Sequence, residues 1–180
     1  MIDLYFDMDG VLGDFKKAYV GYFGYEPLKT PDNLRATNWC YAIEKKIFEK
    51  LDWEQSYTSV ASLIQVAESA KENKLIQSIQ ILGATGGKGF HEIVSKQKIA
   101  WLKSRGIFKV FDKINFVEHG KDKARFATET SILIDDTKSV VQGFRDNKGI
   151  CIHHKGDVPD VVYQLQLAIE LANQRKLQLN

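Results

Sequence analysis

A chain of 180 residues, 44% hydrophobic and 27% charged, has the size and balance of one ordinary globular domain able to bury a core of its own. Its formal charge of +2 and pI of about 8.4 are too mild to mark a nucleic-acid or anionic-membrane binder, although they would not repel a phosphate-bearing ligand. Two cysteines, Cys40 and Cys151, exclude a disulfide framework, and with no signal-like start and no apolar run of membrane-spanning length the chain is expected in the cytoplasm and off the membrane.

Taken in chain order, Ile2, Leu4, Tyr5 and Phe6 form an apolar run of the kind a buried parallel strand shows. Residues 15–74 then carry helical patterns and no convincing strand. Ala42, Ile43, Ile47 and Leu51 recur at helical spacing, as do Val60, Leu63, Ile64 and Ala67, with Pro27 and Pro31 breaking the region near its start. Short strands follow at 79–82, 114–117, 132–134 and 150–152, with helices expected at 92–104, 121–127 and 138–147. Pro159 opens a last helix whose apolar side holds Val162, Leu165, Ile169 and Ala172. Strands alternating with helices predict a Rossmann-like α/β fold, a parallel sheet flanked by helices with right-handed crossovers. No internal repeat or low-complexity linker divides the chain. The expected organisation is one α/β core, 1–14 with 75–180, carrying a small helical insertion at 15–74.

Two strands end in acids. Asp7-Met8-Asp9-Gly10 follows the first apolar run, and Asp135-Asp136 follows Leu133-Ile134. An acidic turn facing solvent is one reading of each. If the two strands are sheet neighbours, however, Asp7, Asp9, Asp135 and Asp136 converge beyond the strand ends, where open α/β sheets bind ligands. Carboxylates so crowded call for a cation or a shared proton, and a set of hard oxygen ligands suits Mg²⁺ with a substrate phosphate. Gly10 allows a sharp turn and a close backbone approach to a small ligand. The chemistry that uses such a set is phosphoryl transfer, in which one carboxylate attacks phosphorus and another handles the proton of the leaving group.

Asp7-Met8-Asp9-Gly10-Val11-Leu12 with Asp14-Phe15, and Lys123 upstream of Leu133-Ile134-Asp135-Asp136, resemble the haloacid dehalogenase (HAD) superfamily of phosphohydrolases, and within it the 5'(3')-deoxyribonucleotidase branch and its small bacteriophage relatives. The likeness runs over essentially the whole chain. The 15–74 insertion corresponds to the superfamily's cap. The resemblance implies that Asp7 is the nucleophile and Asp9 the general acid and base, with Mg²⁺ held by Asp7, Asp136 and the backbone carbonyl of Asp9. It further implies that Asp135 stands behind the metal and orients its water, and that Lys123 bridges nucleophile and phosphate. Read without the resemblance, Lys123 is a solvated helix lysine with Lys121 and Arg125 as competitors.

The second strand departs from that pattern. It ends Leu82-Gly83-Ala84-Thr85-Gly86-Gly87, so Gly83 and Ala84 fall where the superfamily places the hydroxyl that binds phosphate. Thr85 is the only hydroxyl nearby. Either the register slides to bring Thr85 and Gly86 to the phosphate, or backbone amides of Gly83, Gly86 and Gly87 take over. Lys88 is a solvated loop lysine or a further phosphate contact.

Substrate choice is expected from the insertion. Its aromatics, Tyr19, Tyr22, Phe23, Tyr25, Trp39, Tyr41, Phe48, Trp53 and Tyr57, are mostly core by their helical spacing, and any that face the cleft would stack on a nucleobase. His91, His119, His153 and His154 show no ligand spacing. Three functions fit these residues: a Mg²⁺-dependent phosphatase of a small phosphorylated substrate, foremost a (deoxy)nucleoside monophosphate; a phosphatase of nucleic-acid 3' ends or another small phosphoester; or a nucleotide-binding protein with weak or no catalysis.

Overall fold

The computed structural model describes residues 1–179. Five parallel strands, β1 (Asp3–Phe6), β2 (Ser78–Ala84), β3 (Lys113–Val117), β4 (Ile132–Asp135) and β5 (Ile150–His153), form one sheet in the order β3-β2-β1-β4-β5. The chain winds outward from β1 to β2 and β3, then returns to the other side of β1 for β4 and β5. The switch point therefore lies between β1 and β4, where a crevice opens beyond the strand ends.

Alternation along each strand sorts the core into two layers. Leu4, Phe6, Ile79, Ile81, Ile132, Ile134 and Ile152 pack on one face, against α3 (Tyr57–Glu72), α4 (His91–Ser104) and α6 (Val158–Leu179). Tyr5, Leu82, Leu133 and Cys151 face the other way, onto Val140, Val141 and Phe144 of α5 (Lys138–Asp146). Pro159 sits in the first turn of α6, where its missing N–H costs nothing. The helix expected at 121–127 is instead a run of 3-10 turns, Gly120–Phe126, capped where Asp122 accepts from the His119 N–H at 3.2 Å.

The 15–74 segment is helical, as its periodicity implies. It holds α1 (Phe15–Phe23), α2 (Asp32–Glu44) and α3. α1 is capped by Asp14, whose carboxylate accepts from the Lys17 N–H at 2.8 Å. α1 and α2 pack on each other and on the turn Ile47–Glu49, whereas α3 packs on β2 and α6 in the sheet layer. Among the described residues no helix is long and apolar enough to cross a membrane.

Candidate active site

The pairing of β1 with β4 sets Phe6 opposite Ile134, and the Asp7 N–H continues the ladder to the Ile134 carbonyl at 3.0 Å. That register brings the two acidic strand tips together. Carboxylate oxygens of Asp7, Asp135 and Asp136 lie within 4.8 Å of one another. Between them the buried Lys123 ammonium pairs with Asp7 Oδ1 at 2.9 Å and Asp135 Oδ2 at 2.7 Å. The Met8 N–H also donates to Asp7 Oδ1 at 2.8 Å, which leaves Oδ2 of Asp7 without a partner among the described residues. Lys123, rather than Lys121 or Arg125, is thus the lysine placed against these carboxylates.

Asp135 is fully buried, and both its oxygens are engaged, the second by the Thr137 N–H at 2.8 Å. It anchors Lys123 and the turn that carries Asp136. Asp136 itself opens to solvent, with Oδ1 accepting from the Thr137 hydroxyl at 3.1 Å and its backbone carbonyl accepting from His153 Nε2 at 3.0 Å. Gly10 makes this approach possible. It holds φ +76°, and a Cβ there would lie 2.6 Å from Asp136 Cγ, closer than non-bonded atoms come.

Charge crowding shows in the acidities. Desolvation, with Asp7 and Asp135 beside it, raises Asp136 to about 7. Desolvation and Asp7 raise Asp135 to about 6 against the pull of Lys123. Burial raises Asp9, with Lys98 opposing and Asp7 adding to it. Lys123 is held above the ordinary lysine range, because Asp7 and Asp135 outweigh the cost of its burial. Such a cluster gains stability from a bound cation or from protons.

The structure keeps Ala84 at the cleft but turns Thr85 and Gly86 away from this cluster. Thr85 is fully buried. Its hydroxyl donates to the Val117 carbonyl at 3.1 Å, and the remaining partner, His91 Nδ1 at 3.1 Å, then carries the proton it shares with that oxygen. Gly86, at φ +83°, lies under the Trp39 indole, where a Cβ would meet Nε1 at 2.9 Å. The Thr85 and Gly87 N–H groups bond the Val117 and Glu118 carbonyls. Neither Thr85 nor Gly86 lines the cleft, whereas Lys123 does. Pairing of the 85–87 loop with the end of β3 is what turns it away.

One charged residue escaped the sequence reading. Lys98 of α4 is fully buried and donates to Asp9 Oδ2 at 2.7 Å and to the Ala84 carbonyl at 2.7 Å. Its signal was its position: it stands four residues after Val94 and three before Trp101, on the apolar face of the helix.

The cleft above these groups holds about 740 Å³, within the range of small-ligand sites. Asp7, Asp9, Lys123 and Asp136 form its floor, and Phe15, Pro27 and Leu28 supply apolar walls, with Lys16, Lys121 and Lys138 also lining it. None of the nine insertion aromatics named above is in this wall. They pack among themselves, as in the Trp39–Phe48 and Tyr19–Phe23 pairs with centroids 5.7 and 4.5 Å apart. Phe15, stacked on Phe48 at 5.3 Å, is the ring that reaches the cleft.

Fold and crevice together define a Rossmann-like α/β protein with an acidic site at its switch point. No protein-family model matches the chain, and no curated protein matches it. Among solved structures it is similar to a haloacid dehalogenase-like family hydrolase from Streptococcus pneumoniae, at 14% identity and a TM-score of 0.57, over 85% of this chain and 84% of that one. An uncharacterized protein from Corynebacterium glutamicum also matches, at 16% identity and a TM-score of 0.48, over 94% and 96% of the two chains. The first likeness shows that the chain has the HAD-like fold.

Proposed function

We propose that the protein hydrolyses a phosphomonoester through an aspartyl-phosphate on Asp7, with Mg²⁺ held by Asp7, Asp136 and the backbone carbonyl of Asp9. The observation that carries this reading is the convergence of Asp7, Asp135 and Asp136 around a buried lysine at the floor of an open cleft. The donor set fits the metal: hard carboxylate oxygens crowded within 4.8 Å of one another, with Asp136 so short of positive charge that it keeps its proton up to about 7. Bound there, Mg²⁺ would neutralise charge on the transferring phosphoryl group.

The chain's own residues account for the remaining steps. Asp7 attacks phosphorus through a carboxylate oxygen, the ester P–O bond breaks, and the leaving oxygen takes a proton from Asp9. Burial, which raises the pKa of Asp9, favours the protonated form this step needs. Asp9 then takes a proton from water as that water attacks phosphorus, and the bond to Asp7 breaks to release phosphate. Lys123 holds Asp7 in place and lends positive charge to the phosphoryl oxygens.

A nucleoside monophosphate is the proposed substrate, because the cleft has room for one and offers the Phe15 ring, Pro27 and Leu28 to an apolar, flat group beyond the phosphate. The proposed cap is residues 15–56, with α3 counted in the core because it packs on the sheet. Phosphate release from a panel of nucleoside monophosphates, sugar phosphates and 3'-phosphorylated oligonucleotides, with and without Mg²⁺, tests the reading. Fastest turnover of a mononucleotide, lost in D7N, supports it. A preference for the oligonucleotide would move the substrate to nucleic-acid ends. The lack of a hydroxyl at residues 83 and 84 favours a second reading, nucleotide binding without turnover, which predicts binding with background phosphate release.

A further inference from the structure

Lys98 is a buried charge that the mechanism above leaves unused. Removing an ammonium from water costs several kcal/mol unless its surroundings satisfy it, and here they do. Two of its directions are taken by Asp9 Oδ2 and the Ala84 carbonyl, and a third by the face of Phe48, 4.9 Å away at the ring centroid. No donor remains for a phosphate. The pairing also divides the two oxygens of Asp9: Oδ2 is bound, while Oδ1 is buried with no protein partner. The ammonium stands beside Gly83, where an added Cβ would be 3.7 Å from Nζ and 3.2 Å from the Phe116 ring. A side chain at residue 83 would press on the Phe116 ring and touch the lysine that holds Asp9.

We infer that Lys98 is a positioning residue, pinning Asp9 through Oδ2 so that its carboxyl group stays aligned at the cleft to exchange the proton with the leaving oxygen and then with water. The inference rests on the proposed role of Asp9. In the first half-reaction the proton passes from the Asp9 carboxyl to the leaving oxygen as the ester bond breaks. In the second it returns from water to the Asp9 carboxylate as phosphate leaves Asp7. Lys98 keeps its own protons throughout.

The consequence depends on the leaving group, which a merely structural ion pair would not. An alkyl phosphate needs the proton, whereas p-nitrophenolate leaves without it. With Mg²⁺ present, K98M should lower kcat/KM for an alkyl monophosphate by about 100-fold and for p-nitrophenyl phosphate by less than about 5-fold. Because the water step still needs Asp9, K98M should also release a burst of about one p-nitrophenol per active site before its slow steady state. Equal losses on both substrates, with no burst, would overturn the inference. Should K98M fail to fold, D9N and D9N/K98M give the same answer, since the double variant removes both charges together. Their rates on p-nitrophenyl phosphate should agree within about 3-fold, and a further tenfold loss in the double variant would show that Lys98 acts apart from Asp9. If the wild type releases phosphate from neither substrate, the reading of the site fails instead.

Discussion

Replacing Gly10 with alanine strikes the site at its tightest backbone position. An L-residue held at a φ of +76° costs about 1–2 kcal/mol, which in a chain of this size lowers Tm by about 2–8 °C. The new Cβ would also stand 2.6 Å from Asp136 Cγ, so the Asp136 carboxylate must swing away from Asp7. Loss of its alignment should weaken Mg²⁺ binding by about 10–100-fold, removing about 1.4–2.7 kcal/mol of metal-dependent stabilisation at saturating metal. G106A is the control, because Gly106 has φ +75° with open space where the Cβ would go. It bears the backbone strain without the clash. Thermal melts across a Mg²⁺ titration separate the two effects: both variants melt lower without metal, and only G10A loses the metal-induced shift. Equal Mg²⁺ responses in G10A, G106A and the wild type would refute the placement of Asp136 at the metal.

Other substitutions test the remaining parts. K123M leaves the buried Asp7 and Asp135 without their counter-charge, so urea denaturation should show a loss of about 3–5 kcal/mol, and wild-type stability would contradict the buried bridge. T85V breaks bonds to Val117 and His91 and should cost about 1–3 kcal/mol while kcat/KM stays within about 3-fold; a hundredfold loss would show that the hydroxyl reaches phosphate after all. Asp136, raised to about 7, favours the folded state when protonated, so its stabilisation is full below the ordinary aspartate range and lost as pH rises through 7. The metal-free protein should therefore melt lower at pH 8.5 than at pH 6.5, and D136N should flatten that slope. His154, lowered by its burial, acts in the opposite sense but below this window. A melting temperature that rises with pH would contradict the crowding of these carboxylates.

The sheet was legible because its strands are short apolar runs closed by turns, and the acids at two strand tips were legible because they repeat. What joined the pairs was the register of β1 against β4, which follows from strand order and no local signal. The place of Thr85 was hidden for a similar reason: its hydroxyl bonds Val117 on β3, 32 residues away. Lys98 was written in the periodicity of α4 but is chemically indistinguishable from Lys96 and Lys103 until the partner of that face is known. The extent of the insertion was obscured because α3 is amphipathic in either role. Only its packing on β2 and α6 assigns it to the sheet layer.

The central claim is that Asp7 carries the phosphoryl group, and mass spectrometry of rapidly quenched enzyme during turnover of a phosphomonoester in Mg²⁺ tests it most directly. The account predicts one added phosphoryl group on the peptide bearing Asp7, absent in D7N and increased in K98M with an aryl phosphate. Phosphate release with no label on that peptide, or a label on another residue, would contradict it.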